Sequence, residues 1–153
     1  MALPLLRMEI RHEYDVVLVR QRARQIAAAL KFDSQDQTRI ATALSEVARN
    51  AFQYAGGGFV EFQIETPPTA ALTITVTDKG RGIENLREIL DGKYVSRTGM
   101  GLGMIGARRL MDVFTVESTP RGTKVVLGRN LPPRFSGLKK KGLDDLLAQI
   151  ESP

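Results

Sequence analysis

The sequence predicts an α+β fold in two layers, in which helices cover one face of a mixed, mainly antiparallel sheet. Two segments, residues 16–30 and 40–52, carry apolar side chains at the spacing of amphipathic helices, each with one apolar face. Residues 60–65 and 72–77 instead alternate apolar and polar side chains with the period of a strand. Strands that follow one another through short turns favour antiparallel pairing, and one-faced helices favour a single covering layer.

The first part of the chain predicts a short strand at residues 8–10 and then two helices. Asp15 is placed to cap the first helix, which ends near Lys31. Ser34 and Gln37 fit a capping box at the start of the second helix. Three consecutive glycines at residues 56–58 stop this second helix, which is the longest buried stripe in the sequence.

The second part of the chain predicts four strands and two more helices. The two alternating segments form a hairpin around Pro67 and Pro68. A short helix at residues 84–90 leads to a glycine-rich segment at 92–103 that has no periodicity, and we expect this segment to be mobile. The predicted order, β, α, α, β, β, α, loop, α, β, β, is completed by a helix at 102–110 and strands at 113–118 and 123–127.

Composition limits the chemistry that the 153-residue chain can carry. It has no cysteine and a single histidine, His12, which excludes disulfides, thiolate metal sites, a zinc cluster and a Ser-His-Asp triad. No apolar run approaches the ~20 residues of a membrane span, and the opening lacks a secretory signal, so we expect a cytoplasmic protein without membrane contact. The formal charge of +5 suits an anionic partner, but the aromatic residues are not interleaved with basic ones, so no nucleic acid is expected.

The domain organisation is predicted to be one domain at residues 1–131 and a tail at residues 132–153. Pro132 and Pro133 mark the boundary as a linker. Beyond them, Leu143, Leu146 and Ile150 fall on one side of a short amphipathic helix. This tail is predicted to be either a partner-binding appendage or the start of a longer segment.

Glu46 and Asn50 form the first candidate site. They lie one helical turn apart in the second helix and therefore project from one face, at the margin of its apolar stripe. Mg²⁺ prefers oxygen ligands and takes few from protein, so the amide oxygen of Asn50 suits it. Glu46 is placed to orient or deprotonate an attacking group. Both residues also fit the surface of an ordinary amphipathic helix.

The turn after the second strand of the hairpin carries the next candidates, Asp78, Gly80 and Gly82. The glycines let the backbone approach a flat ligand, and a carboxylate accepts a hydrogen bond from an exocyclic amine. Adenine presents that amine, whereas guanine presents a carbonyl there. A plain Asp-x-Gly turn remains the alternative.

Gly99, Gly101 and Gly103 open the later helix, where free backbone amides and the helix dipole favour phosphate oxygens. No βαβ unit surrounds them and no G-x-x-x-x-G-K-[ST] occurs, so neither a Rossmann site nor a P-loop is predicted. Thr123 follows a late glycine turn. Its hydroxyl either reaches the adenine edge or has a structural role at the strand start.

The ordered fragments E-x-x-x-N, D-x-G-x-G, G-x-G-x-G and G-T resemble the GHKL ATPases, which include histidine-kinase catalytic domains. More narrowly, the chain resembles the switch-protein serine kinases of the RsbT type, related to the anti-sigma kinases RsbW and SpoIIAB. The resemblance runs from about Arg7 to Leu131 and is carried by residues 13–15, 20–21, 40–51, 54–58 and 109–112. It implies the Bergerat ATP-binding fold.

The resemblance also implies roles for the candidate residues. Asn50 would bind Mg, Glu46 would be the catalytic base or its support, and Asp78 would hold the adenine amine of ATP. Gly80 and Gly82 would shape the adenine pocket. The substrate would be a serine or threonine of a STAS-domain antagonist protein in bacterial stress signalling, and a homodimer is possible. The alternatives are a catalytic module of a larger histidine-kinase-like protein and a non-catalytic, nucleotide-gated binding module. The glycines of the ATP lid would be Gly99, Gly101 and Gly103.

Overall fold

The computed structural model describes residues 2–65, 70–82, 100–133 and 148. These residues form β1 (Ala2–Ile10), α1 (Glu13–Ala29), α2 (Ser34–Ala55), β2 (Gly58–Glu65), β3 (Ala71–Asp78), α3 (Met100–Leu110), β4 (Val113–Thr119) and β5 (Gly122–Asn130). The strands lie in the order β1-β2-β3-β5-β4, and every neighbouring pair among them is antiparallel. The two-layer α+β prediction is confirmed. The predicted helix at 84–90, most of the segment at 92–103 and, apart from Ala148, the tail helix lie outside the described residues.

The core lies between the sheet and the helices. In β2 and β3 the predicted alternation is confirmed, because Val60 faces Val76 and Phe62 faces Ile74 across the hairpin, all of them buried. These side chains pack under α2, which lies across β2, β3 and β5, while α1 packs on α2 and β1. Full burial of one such apolar side chain contributes about 1.5–3 kcal/mol, so this layer contact holds α2 in place.

The first strand is longer than predicted. β1 spans nine residues and pairs with β2 along its whole length, with a register shift between Pro4 and Leu6. The alternation that identifies a strand is lost at this irregularity. Leu5 and Ile10 are both buried although they are five positions apart, a spacing that puts side chains on opposite faces of a regular strand. The sequence pattern therefore revealed only its last three residues.

The predicted cap of α1 is wrong by one turn. His12 is the N-cap residue, and Asp15 lies in the first turn of the helix. One Asp15 carboxylate oxygen, Oδ2, accepts hydrogen bonds from the backbone N–H of Arg11 at 2.8 Å and of His12 at 2.9 Å. These two donors lower the pKa of Asp15, because they stabilise its charged form. Asp15 thus closes the helix start from inside.

The ends of α2 are set by one aspartate and one glycine. Asp33, not Ser34, is the N-cap residue, and its Oδ1 accepts from the backbone N–H of Asp36 at 2.8 Å. The predicted capping box is therefore wrong by one residue, and Gln37 instead donates to the carbonyl of Phe32 at 2.9 Å. At the other end Gly56 has a left-handed φ of 76°, which confirms the predicted stop.

Arg129 ties three elements together at the far end of the sheet. Its Nη2 lies 2.7 Å from Asp36 Oδ1 at the start of α2, and its Nη1 donates to the carbonyl of Leu110 at the end of α3, also at 2.7 Å. Arg39 adds a second ion pair to the same Asp36 oxygen at 2.8 Å. This cluster fixes α2 and α3 against β5.

Among the described residues, no helix is both long and apolar enough to cross a membrane.

Candidate functional site

The C-terminal half of α2 carries the first part of the candidate site. Glu46 and Asn50 project from one face of the helix, as predicted, and both are partly buried. The side-chain nitrogen of Asn50, Nδ2, is buried and has no hydrogen-bond partner among the described residues. Buried polar groups in folded proteins are almost always hydrogen-bonded, so this carboxamide is suited to a ligand that supplies the missing acceptor.

Glu46 is held between a cation and the start of α3. Its Oε1 lies 3.1 Å from Nη1 of Arg49, one turn further along α2. On the other side, a Cβ added to Gly103 would lie only 2.8 Å from Glu46 Oε2, so glycine is what allows α3 to approach this carboxylate. The approach brings the base candidate and the predicted phosphate-binding segment together.

The two described glycines of the predicted lid are helical. Gly101 and Gly103 lie in the first turn of α3, which begins at Met100. The helix predicted at 102–110 is therefore confirmed, but it begins two residues earlier, inside the segment at 92–103 that was predicted to lack periodicity. The sequence pattern does not reveal this start of the helix, because glycine has no apolar side chain and so contributes nothing to the hydrophobic periodicity. Gly99 lies outside the described residues.

Asp78 ends β3 and is fixed by backbone donors. Its Oδ1 accepts from the N–H of Gly80 at 3.0 Å and from the N–H of Thr123 at 3.2 Å. The carboxylate thereby joins its own turn to the start of β5. Within the described residues Oδ2 makes no hydrogen bond, which leaves one oxygen of a rigidly held carboxylate to accept from a ligand.

The glycines after Asp78 bring this turn onto α2. A Cβ at Gly80 would lie 2.6 Å from the Cβ of Ala55, in the last turn of α2, so no larger residue fits there. Gly82 has a left-handed φ of 85°, which favours glycine. The turn is therefore packed against the same helix that carries Glu46 and Asn50, about two and a half turns beyond Glu46 and about one and a half turns beyond Asn50.

Thr123 is buried and supports Asp78. It is only 6% exposed, and its Oγ1 lies 3.0 Å from the hydroxyl of Ser118 on β4. The described contacts of this residue are thus structural, and contact of its hydroxyl with adenine stays a prediction. Sequence reasoning missed Arg49 and Ala55 as neighbours of the site, although the spacing of Glu46 and Arg49 is that of an ion pair on a helix.

The described site residues form two groups joined by α2. Glu46, Asn50 and Gly103 lie at one group, and Asp78, Gly80 and Thr123 at the other. Among the described residues no three histidine, cysteine, aspartate or glutamate side chains come together to hold a metal ion. The donor set at α2 is instead one carboxamide and one carboxylate, which fits a Mg²⁺ ion that arrives with phosphate and water ligands.

Comparison with known proteins decides the family. Residues 10–129 match the model of the histidine kinase-like ATPase domain. The chain belongs to this family. The matched region contains every described residue of the candidate site.

Two relatives and one solved structure resemble the chain. It is 38% identical to the serine/threonine-protein kinase RsbT of Bacillus subtilis (strain 168), over 77% of this chain and 90% of the relative. It is 31% identical to the anti-sigma F factor of Clostridium novyi (strain NT), over 63% of this chain and 73% of the relative. A chain of the SiaB–SiaC complex from Pseudomonas aeruginosa has the same fold, with a TM-score of 0.54, 11% identity and coverage of 82% of this chain and 89% of that one.

Proposed function

We propose that this protein is an ATP-dependent serine/threonine protein kinase that phosphorylates a STAS-domain partner in bacterial stress signalling. The observation that carries the kinase activity is the 38% identity to RsbT over nine-tenths of that kinase. The geometry supports it, because Glu46 lies against the first turn of α3 and Asn50, one helical turn further along α2, has a buried amide nitrogen without a partner among the described residues. The STAS partner rests on the resemblance to RsbT-type kinases.

The nucleotide would lie along α2 between the two groups. Asp78, with Oδ1 fixed by two backbone N–H groups, would accept the exocyclic amine of adenine on Oδ2. Gly80 and Gly82 would keep side chains away from the base. At the other end Asn50 would hold Mg²⁺ through its amide oxygen, and the backbone of Gly101 and Gly103 at the start of α3 would face the phosphates. Bound Mg²⁺ neutralises charge on the phosphate oxygens.

Glu46 would act as the base in the transfer. Its Oε2 takes the proton of the serine or threonine hydroxyl as the hydroxyl oxygen bonds to the γ-phosphorus. The bond from that phosphorus to the β–γ bridging oxygen breaks, and ADP leaves with the electron pair. Positioning and charge stabilisation carry most of the rate in phosphoryl transfer, so the held geometry of Glu46 matters as much as its basicity.

The test uses the purified chain, Mg²⁺, γ-labelled ATP and a panel of STAS-domain proteins. We expect label on one serine or threonine of a STAS protein, lost when that residue is replaced by alanine and when Glu46 is replaced by glutamine. Glu46→Gln should still bind ATP, because Glu46 is not assigned to the nucleotide. Binding of ATP without label on any STAS protein would refute the kinase proposal.

Sigma-factor binding is a second candidate function, favoured by the similarity to an anti-sigma F factor. It requires a stable complex with a sigma factor that changes when ATP is replaced by ADP. For the kinase we also propose a cytoplasmic location, a homodimer and a separate tail unit at residues 132–153. Sedimentation of the full chain, with and without nucleotide, measures the oligomeric state.

A further inference from the structure

Arg49 lies beside the proposed base and has no place in the mechanism above. Its side chain is half exposed, and Nη1 lies 3.1 Å from Oε1 of Glu46, which is one third exposed. An exposed ion pair with this spacing usually contributes little to stability. This pair differs from an ordinary surface pair because the Glu46 carboxylate also has a second close neighbour.

That neighbour is the first turn of α3. A Cβ on Gly103 would come within 2.8 Å of Glu46 Oε2, whereas a Cβ on Gly106 of the same helix would meet nothing within 4 Å. The Glu46 carboxylate is therefore confined on both sides, with Oε1 on Arg49 and Oε2 toward α3. A base confined in this way keeps one oxygen for the protein and one for the proton that it receives.

We propose that Arg49 is a positioning residue for phosphoryl transfer. It binds Oε1 of Glu46 and so holds Oε2 beside Gly103, where the proton of the substrate hydroxyl would be taken up. The inference rests on the proposed kinase function for its consequence, but the holding of Glu46 is a property of the protein without nucleotide. Arg49 acts through Glu46 and is assigned no contact with ATP.

The other end of α2 supplies a matched control. Arg39 pairs with Asp36 at the same spacing and a similar distance, 2.8 Å, with a similarly exposed guanidinium. Asp36 also binds Arg129, and neither residue belongs to the candidate site. Loss of Arg39 therefore removes an ion pair of the same kind without affecting Glu46.

The kinetic test compares Arg49→Ala, Arg49→Lys and Arg39→Ala on the STAS protein that the wild type phosphorylates. We expect kcat of Arg49→Ala to fall about tenfold, with the KM and Kd for ATP within about twofold of wild type. Arg49→Lys should recover kcat to within about threefold of wild type, and Arg39→Ala should match wild type. An unchanged kcat in Arg49→Ala would overturn the proposal, as would a loss shared equally by Arg39→Ala.

A second test needs no activity and measures the thermal midpoint of the protein without nucleotide. The methyl group of Gly103→Ala forces the Glu46 carboxylate to move. The movement lowers the stability of the protein only if Arg49 holds the carboxylate in place. Gly106→Ala meets no neighbour and should raise the midpoint by about 3 °C, because alanine favours the helix. We expect the midpoint of Gly103→Ala to lie below that of Gly106→Ala, and this gap to narrow by about half in an Arg49→Ala background.

The two tests separate the proposals. If the gap between the glycine variants is the same with and without Arg49, then Arg49 does not hold Glu46 and the inference fails, whatever the protein phosphorylates. If the gap narrows while the wild type transfers no phosphate to any STAS protein, the kinase function fails and the holding of Glu46 stands.

Discussion

The two ends of α2 treat polar groups in opposite ways. Near its start, Asp36 accepts from Arg39 and Arg129, and Arg129 also donates to the carbonyl of Leu110. In its C-terminal half, as far as residues 2–65, 70–82 and 100–133 show, the buried amide nitrogen of Asn50 has no partner and Glu46 pairs with one cation. The comparison teaches that the helix is fastened at one end by bonds within the protein, whereas the other end keeps a polar nitrogen unpaired among the described residues, as the proposed ligand site requires.

The largest expected effect of a substitution is on ATP affinity, at Asn50 in the C-terminal half of α2. We expect Asn50→Ala to weaken Mg-dependent ATP binding by about 100-fold or more, equal to about 2.7 kcal/mol, because the proposed metal ligand is lost. The free energy of unfolding should change by less than about 0.5 kcal/mol, since the amide nitrogen makes no hydrogen bond to any part of the chain that the structure describes. Calorimetric titration with ATP and Mg²⁺ and chemical denaturation measure the two quantities. Unchanged affinity would remove Asn50 from the site.

The fastened end should give the reverse pattern. Asp36→Ala leaves Arg129, which is 20% exposed, without its carboxylate, and we expect a loss of about 2 kcal/mol in the free energy of unfolding. ATP affinity should stay within about twofold of wild type, because this cluster lies at the other end of α2. The control Arg39→Ala should cost only about 0.3 kcal/mol, since Asp36 keeps Arg129. A large change in ATP affinity with Asp36→Ala would show that the two ends are not independent.

A smaller effect is expected where the Asp78 turn meets α2. Gly80→Ala would place a methyl group 2.6 Å from the Cβ of Ala55, and neither group can turn aside. We expect a loss of about 1.5 kcal/mol in the free energy of unfolding together with weaker ATP binding. Urea denaturation and the same titration measure both. A Gly80→Ala variant as stable as wild type would mean that the turn can move away from α2 freely.

The smallest effect is expected at the start of α1, where Asp15 accepts from two backbone N–H groups. A carboxylate whose pKa is lowered by folding stabilises the protein at pH values above the ordinary pKa of the group. This stabilisation is lost as the pH falls through the lowered pKa. Asp15→Asn should therefore be less stable than wild type near neutral pH, and the difference should vanish in acid. Denaturation curves between about pH 7 and about pH 2 test this. A difference that persists in acid would assign the effect to packing instead of charge.

Much of the fold could be predicted because its signals are local. The stripe of α2 and the alternation of β2 and β3 each lie within one segment, and the helix stop at Gly56 is a single residue with a left-handed backbone. The errors fall where the deciding contact is not visible in the pattern. Asp33 and Ser34 are both good cap residues, so the sequence does not choose between them. The length of β1 depends on pairing with β2, nearly fifty residues later.

The candidate site likewise has features that the sequence predicts and features that depend on tertiary packing. The face shared by Glu46 and Asn50 follows from helical spacing alone. The closeness of Gly103 to Glu46 and of Gly80 to Ala55 depends on how α3 and the Asp78 turn pack on α2, which no spacing encodes. The orphaned nitrogen of Asn50 is likewise a property of its surroundings and becomes visible only in three dimensions.

The irregular pairing of β1 has a consequence for self-association of the sheet. β1 is at one margin of the described sheet, where exposed backbone groups could recruit a strand from a second molecule. Pro4 offers no N–H, and the register shift that follows it breaks the even row of donors and acceptors. Addition of a strand from a second molecule, the step by which fibrils grow, is therefore impeded at this part of the margin.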